Sequence, residues 1–94
     1  MQMPAEIISF EIEKYQFKRG PTTIAVLHLR DATPNSPLLQ VIDFELNEDQ
    51  LKKLPTRELS GQACEVTIQE LMQGHSTRIR ITRGEILSLN GKPF

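Results

Sequence analysis

The chain has 94 residues, of which 38% are apolar and 24% are charged, and its formal net charge is -1. This length allows one domain with one core, and this composition excludes a disordered tail. A net charge close to zero also argues against a polycation that coats duplex DNA. No apolar run approaches the roughly 18 residues that span a membrane, so we predict a single domain over 1–94 with no membrane partner.

Cys64 is the single cysteine, so an internal disulfide is excluded, and no zinc-ligand spacing is present. It shares its parity with Val66 and Ile68 in a strand-like stretch, which predicts a small buried apolar side chain rather than a catalytic thiol. The segment 1–14 has acids inside its apolar stretch and no basic region, which is not the pattern of a signal peptide. We therefore expect a protein of the reducing cytoplasm.

The first predicted strand covers residues 6–18 and alternates between apolar and polar side chains. Its inward face is predicted to hold Ile8, Phe10 and Ile12. Tyr15 and Phe17 have the opposite parity, and two interpretations stay open. A bulge near Glu13–Lys14 would return both rings to the core, whereas unbroken alternation leaves them outward. We predict the outward position, with both rings near the turn at 18–19.

Four more strands and one helix follow. The strands are predicted over residues 22–30, 38–46, 62–72 and 77–89. Asn47 is a good N-cap for a short helix, and Glu48 and Asp49 suit its first turn because the helix dipole favours acids there. Pro55 ends or kinks this helix, and Gly84 marks a bend in the last strand.

The predicted order is three strands, one helix and two strands. This is the order of the OB-fold, a small Greek-key barrel. An SH3-like barrel or an open α+β sheet gives a similar pattern, and no diagnostic motif separates them. We predict a mostly-β chain that forms a five-stranded OB-like barrel, with one short helix between strands 3 and 4.

Basic residues concentrate in two stretches without acids, 14–30 and 75–83. In the predicted barrel they coincide with the loop between strands 1 and 2 and the loop between strands 4 and 5. OB-folds bind oligonucleotides with these two loops and with the face that lies between them. An acidic block lies between them in sequence and is expected near the helix end; it consists of Asp43, Glu45, Glu48 and Asp49. The candidate nucleic-acid-binding residues are Lys14, Tyr15, Phe17, Lys18, Arg19, His75, Arg78, Arg80 and Arg83.

Aromatic and basic residues interleave from Lys14 to Arg19, as single-strand binding requires: cations track the phosphates and rings stack on the bases. The alternative is that the rings are core and the lysines protect an edge strand. Arg78 and Arg80 have a similar alternative, in which Glu65, Thr67 and Gln69 of the neighbouring strand pair with them.

The later part of the chain is similar to the small OB-type single-stranded-DNA-binding proteins of filamentous phages. The residues that carry this resemblance are Val41–Leu46 and Arg78–Ile81, with the strand that continues to Leu89. The similarity lies in size, strand spacing and a final basic-apolar strand. It implies a homodimer that coats single strands without sequence preference, using aromatics and cations on a hairpin. The chain departs from this pattern, because it has one Tyr, no Trp and a slightly acidic net charge.

No constellation of residues supplies a nucleophile with a base, so we expect no enzymatic activity and no cofactor. Asp43 and Glu45 share a strand face, which indicates a solvated surface rather than a metal site, and His28 is expected to be a packed histidine. The sequence therefore predicts a binding module for single-stranded nucleic acid, with DNA favoured. The alternative is a protein-interaction module that uses edge strands and the acidic block.

Overall fold

The computed structural model describes residues 1–35, 37–56, 58–68, 72–73 and 78–94. Its elements are β1 (Gln2–Phe17), β2 (Gly20–Asp31), β3 (Val41–Leu46), α1 (Glu48–Lys53), β4 (Ala63–Ile68), β5 (Met72–Gln73), β6 (Arg78–Ile81), β7 (Gly84–Leu89) and β8 (Lys92–Pro93). The prediction of a mostly-β chain with one short helix is confirmed. Within these ranges, no helix has the length and apolar character that crossing a membrane requires.

The strands form one sheet in the order β5-β6-β3-β2-β1-β4-β7-β8. Neighbouring strands are antiparallel except β3 and β6, which run parallel. In the described ranges the edge strands β5 and β8 do not pair with each other, so the sheet is open. The predicted five-stranded OB-like barrel is therefore wrong in its closure and in its strand count.

The difference arises in the last predicted strand, 77–89, which the structure divides. The chain bends at 82–83, so that β6 pairs with β3 on one side of the sheet and β7 pairs with β4 on the other. Glycine is required at position 84, because a Cβ there would lie 2.5 Å from the carbonyl oxygen of Thr67 and 2.6 Å from a ring carbon of Phe44. The predicted bend at Gly84 is confirmed.

The core lies on one face of the sheet. Its largest fully buried side chains include Ile7, Leu27, Leu29, Ile42, Phe44, Leu59, Val66, Ile79 and Ile81. Each side chain of this kind contributes about 1.5–3 kcal/mol by leaving water. Cys64 is buried among them, and burial raises the pKa of its thiol to about 11. The prediction that Cys64 is a buried apolar side chain is confirmed.

The short helix α1 begins where the sequence predicts it. Oδ1 of Asn47 accepts a hydrogen bond of 2.8 Å from the N–H of Gln50, which caps the helix. The helix ends at its C-cap, Leu54, immediately before Pro55. Leu51 and Leu54 pack against the core, so the helix covers part of the apolar face of the sheet.

β1 carries its bulge at Ile8 rather than near Glu13–Lys14. Its register with β2 shifts between Ile7 and Ser9 and is then continuous to the end of the strand. A bulge moves the following residues to the opposite face, so the odd-numbered residues face the core before Ile8 and face outward after it. The predicted inward position of Ile8 is wrong, because it is the bulged residue and its side chain is exposed. Phe10 and Ile12 keep the predicted face, and Phe10 packs against the core. Ile12 is nevertheless exposed, because the hairpin extends beyond the core at that point.

Candidate nucleic-acid interface

The far half of the β1–β2 hairpin projects beyond the rest of the sheet. β1 pairs with β4 only as far as Glu6, and β2 pairs with β3 only from Ala25 onward. Residues 13–24, here called the ribbon, therefore form two strands that have only each other as neighbours within the described sheet. The ribbon turns at Lys18-Arg19 and continues through Gly20. The φ of Gly20 is 118°, a backbone conformation that glycine adopts at little energetic cost because it has no Cβ.

Tyr15 and Phe17 lie side by side on the outer face of the ribbon. Tyr15 is 40% exposed and Phe17 is 51% exposed, so the prediction that both rings are at the surface is confirmed. Their ring centroids are 5.8 Å apart, and the ring planes are tilted by 31°. The rings are exposed because their odd positions put them on the face opposite the core, on a ribbon with no further strand beside it in the described sheet.

Two of the three predicted cations of the first basic stretch lie beside these rings. Lys18 and Arg19 form the turn directly after Phe17, and both are exposed. Lys14 is also exposed but has the opposite parity from Tyr15, so it lies on the other face of the ribbon. Among the described residues, these three side chains make no ion pair.

Beside the ribbon, β1, β2, β3 and β6 present a surface of paired charges, here called the charged face. Its members are Glu11, Glu13, His28, Asp43, Glu45, Arg78 and Arg80. These side chains lie on the face opposite the core. In the sheet register, Asp43 is the cross-strand neighbour of His28 on one side and of Arg80 on the other. The sequence predicted two of its members, Arg78 and Arg80, as phosphate contacts.

Arg80 lies between two carboxylates. Its Nε donates to Oε2 of Glu45 at 2.9 Å, and its Nη2 donates to Oε2 of Glu13 at 3.2 Å. Burial opposes the charged guanidinium, but the hydrogen bonds to Glu45 and Glu13 outweigh that effect and raise the pKa of Arg80. Arg80 is therefore already bound by carboxylates from β3 and β1.

Arg78 binds Asp43 with two nitrogens. Nε donates to Oδ2 at 3.0 Å, and Nη2 donates to Oδ1. The hydrogen bonds from Arg78 lower the pKa of Asp43, although burial of the carboxylate acts in the opposite direction. The alternative in which Glu65 and Thr67 pair with the arginines is wrong, because β6 runs parallel to β3 and pairs its arginines with acids of that strand. Gln69 lies outside the described residues.

His28 bridges two carboxylates of the charged face. Its Nε2 lies 2.9 Å from Oε2 of Glu11, and its Nδ1 lies 2.7 Å from Oδ1 of Asp43. Nη2 of Arg78 is 3.0 Å from the same Nδ1. Burial disfavours the imidazolium, but the hydrogen bonds to Glu11 and Asp43 outweigh it and raise the pKa of His28. The expected packed histidine is half-buried, yet it belongs to a polar network and not to the core.

The charged face carries more negative than positive charge. Its four carboxylates face two guanidiniums, which leaves a charge of -2 with neutral His28 and -1 with protonated His28. Val26, whose cross-strand neighbours are Glu11 and Glu45, is fully buried although it lies outside the core cluster. This surface is a network of ion pairs that covers the apolar side chain of Val26. Lys18 and Arg19, which make no ion pair with the described residues, lie on the ribbon instead.

Two further residues were predicted as contacts, Arg83 and His75. Arg83 is exposed in the bend between β6 and β7, beside an open groove of about 270 Å³ that Glu45, Asn47 and Glu85 help to line. His75 lies outside the described residues. The structure thus brings together Tyr15, Phe17, Lys18 and Arg19 on the ribbon, whereas Arg83 lies in the bend between β6 and β7.

Searches of the chain against protein-family models, curated proteins and solved structures found no match. Within the described residues, no group of three or more His, Cys, Asp or Glu side chains has an arrangement that could hold a metal ion. The functional assignment therefore rests on the geometry of the ribbon and the charged face.

Proposed function

We propose that the protein is a binding module for single-stranded nucleic acid that makes its contacts through the ribbon. The exposed pair of Tyr15 and Phe17 carries this proposal. Each ring offers a flat face to one base, and Lys18 and Arg19 stand next to the rings to contact phosphates. Stacking of a base on an aromatic side chain contributes about 1–3 kcal/mol in proteins of this kind.

Two properties favour single strands over duplexes. The rings can reach only bases that are unstacked, and bases in a duplex are covered by their neighbours. The charged face next to the ribbon repels phosphates, since its carboxylates outnumber its guanidiniums. A flexible strand can follow the ribbon and avoid that surface, whereas a stiff duplex cannot.

The strand order supports a relationship to the OB-fold. The neighbours β4-β1-β2-β3 follow the Greek-key arrangement, in which the fourth strand returns to lie beside the first. The bent segment of β6 and β7 flanks β3 with one half and β4 with the other, while the described sheet stays open between β5 and β8. The ribbon corresponds to the predicted loop between strands 1 and 2.

The cytoplasm is the proposed compartment, where Cys64 stays a thiol.

Tyrosine fluorescence tests this proposal directly. Tyr15 is the single tyrosine and the chain has no tryptophan, so tyrosine emission reports on the ring at the proposed site. We expect quenching by oligothymidine and by oligouridine at low salt, and weaker quenching by a duplex of equal length. Comparison of the two single strands decides between DNA and RNA. No quenching by either strand at low salt contradicts the proposal.

A protein-interaction role is the second candidate, and the exposure of Ile12 favours it. Ile12 is 42% exposed on β1, whose edge from Glu11 to Phe17 pairs only with β2 in the described sheet. An exposed strand edge can pair with a second copy of the chain or with another protein. The acidic block contributes less, because Asp43 and Glu45 are bound to arginines. A dimer in solution that Ile12→Lys separates is the expected result for this role.

A further inference from the structure

A continuous chain of hydrogen bonds connects the ring of Tyr15 to β3. The phenol hydroxyl of Tyr15 donates to Oε2 of Glu13, and the same oxygen accepts from Nη2 of Arg80 at 3.2 Å. Nε of Arg80 donates to Glu45 at 2.9 Å. One end of this chain is an exposed ring on the ribbon, and the other end lies on β3, which is paired with β2 on one side and with β6 on the other.

We propose that Glu13 and Arg80 are positioning residues that hold the Tyr15 ring for base stacking, and that Arg80 does not contact phosphate. The inference rests on the proposed function, since it assigns a role to side chains that support the same site. It also gives a different role to an arginine whose sequence context suggests phosphate binding.

The ring needs such support because it is exposed and its other ring contact, Phe17, is itself exposed. Tyr15 lies on a two-stranded ribbon, where an exposed side chain samples several rotamers. Glu13 is two residues earlier on the same face of β1, so its carboxylate reaches the phenol. Arg80 holds that carboxylate, and Glu45 holds Arg80. A ring that is already oriented loses less entropy when a base stacks on it.

Phosphate binding by Arg80 is disfavoured by the groups around it. Both Nε and Nη2 donate to carboxylates, which lie within 3.2 Å. A phosphate drawn to the guanidinium would have to approach Glu13 and Glu45 as well, and like charges at that distance repel. Lys18 and Arg19 make no ion pair with the described residues and face no such barrier.

The first measurement uses the free protein and follows ionisation of its single tyrosine by ultraviolet absorbance. The hydrogen bond to Glu13 raises the pKa of Tyr15, so Glu13→Ala should return this pKa toward its ordinary value. Glu13→Gln keeps an oxygen that accepts from the phenol and should retain affinity for oligothymidine better than Glu13→Ala. We expect Glu13→Ala and Arg80→Ala each to weaken that affinity by roughly 2- to 10-fold, the effect of mobilising one ordered side chain.

The second measurement is the salt dependence of oligothymidine binding, which separates positioning from phosphate contact. Each lost phosphate contact lowers the log–log slope by about 0.7 for single strands. We expect Arg80→Ala to lower affinity at every salt concentration with an unchanged slope, whereas the control Lys18→Ala lowers the slope. An Arg80→Ala slope reduced as much as that of Lys18→Ala overturns the inference, and so does a Glu13→Ala protein that binds and titrates like the wild type. Absence of binding by the wild type instead overturns the proposed function itself.

Discussion

Asp43 accepts two hydrogen bonds from the guanidinium of Arg78, and one of its oxygens also lies 2.7 Å from Nδ1 of His28. This carboxylate therefore connects β2, β3 and β6 on the charged face, at a position where its side chain is only 14% exposed. The bonds to Arg78 lower its pKa, so the ionised form is favoured in the folded protein.

Asp43→Asn should destabilise the protein, because it leaves Arg78 and His28 without their shared anion. Hydrogen bonds to charged groups contribute about 1.5–3 kcal/mol each, so we expect a loss of about 1–3 kcal/mol after relaxation of the neighbours. Urea denaturation at neutral pH measures the loss. Glu65→Gln removes the same charge from an exposed position on β4 and should change the free energy of unfolding by less than about 0.5 kcal/mol.

The carboxylate of Asp43 should also make the stability of the fold depend on pH in the acid range. Because the folded-state pKa of Asp43 is lowered, its contribution is present above the unfolded value near 3.8 and is lost as pH falls through the folded value. The stability difference between wild type and Asp43→Asn should therefore shrink in strong acid. A difference that stays constant from neutral pH into that range contradicts this assignment.

Removal of the two turn cations tests where phosphates bind. The double variant of Lys18→Ala with Arg19→Ala should weaken single-strand binding and lower the log–log salt slope by about 1.4, as expected for two lost contacts. The double variant of Lys52→Ala with Lys53→Ala changes the net charge equally at the last turn of α1, where Lys53 lies near Leu89 and Lys92. Equal losses in both proteins would mean that binding depends on overall charge and not on the turn.

Local features of the fold could be predicted from the sequence, because they depend on nearby residues. Period-two alternation identified most strands, and Asn47 identified the start of the helix. The division of the last strand at 82–83 was missed, although Gly84 indicated a bend. Which strands β6 and β7 join depends on contacts between distant parts of the chain, and alternation within one strand carries no such information.

The candidate site was predicted in part for the same reason. The parity of Tyr15 and Phe17 was sufficient to predict that both rings are exposed. The partners of Arg78 and Arg80 were missed, because they follow from the parallel register of β6 with β3. The available signal was the matched spacing of two acids and two arginines, each pair two residues apart on one strand face. It becomes decisive only once the two strands are known to be neighbours.

Removal of either ring should reduce binding while the fold stays intact. Tyr15→Ala and Phe17→Ala should each weaken oligothymidine binding by on the order of tenfold or more, since each variant removes one stacking surface. Both side chains are exposed, so thermal unfolding should change little. Tyr15→Phe keeps the ring and serves as the control, and it should bind more tightly than Tyr15→Ala. Wild-type affinity in both alanine variants would exclude the ribbon as the binding surface.

His28 should titrate above the ordinary range for histidine. Glu11 from β1, Asp43 from β3 and Arg78 from β6 face its ring, and the hydrogen bonds to the two carboxylates outweigh burial and the repulsion from Arg78. The folded-state pKa is thus above the unfolded value of about 6.5. A raised pKa means that protonation of His28 favours the folded state. The contribution of His28 to the free energy of unfolding is therefore complete below the unfolded pKa and is lost as pH rises through the folded pKa.

Ring-proton NMR spectroscopy checks this prediction, because the chain has two histidines and His28→Gln leaves only the signal of His75. The signal that disappears in His28→Gln should have its midpoint above about 6.5 in the wild type. Urea denaturation should show that wild-type stability falls between mildly acidic and mildly alkaline pH, and that this fall is smaller in His28→Gln. A His28 midpoint below about 6.5 would show that burial and Arg78 outweigh the two carboxylates, and the predicted direction of the stability change would then reverse.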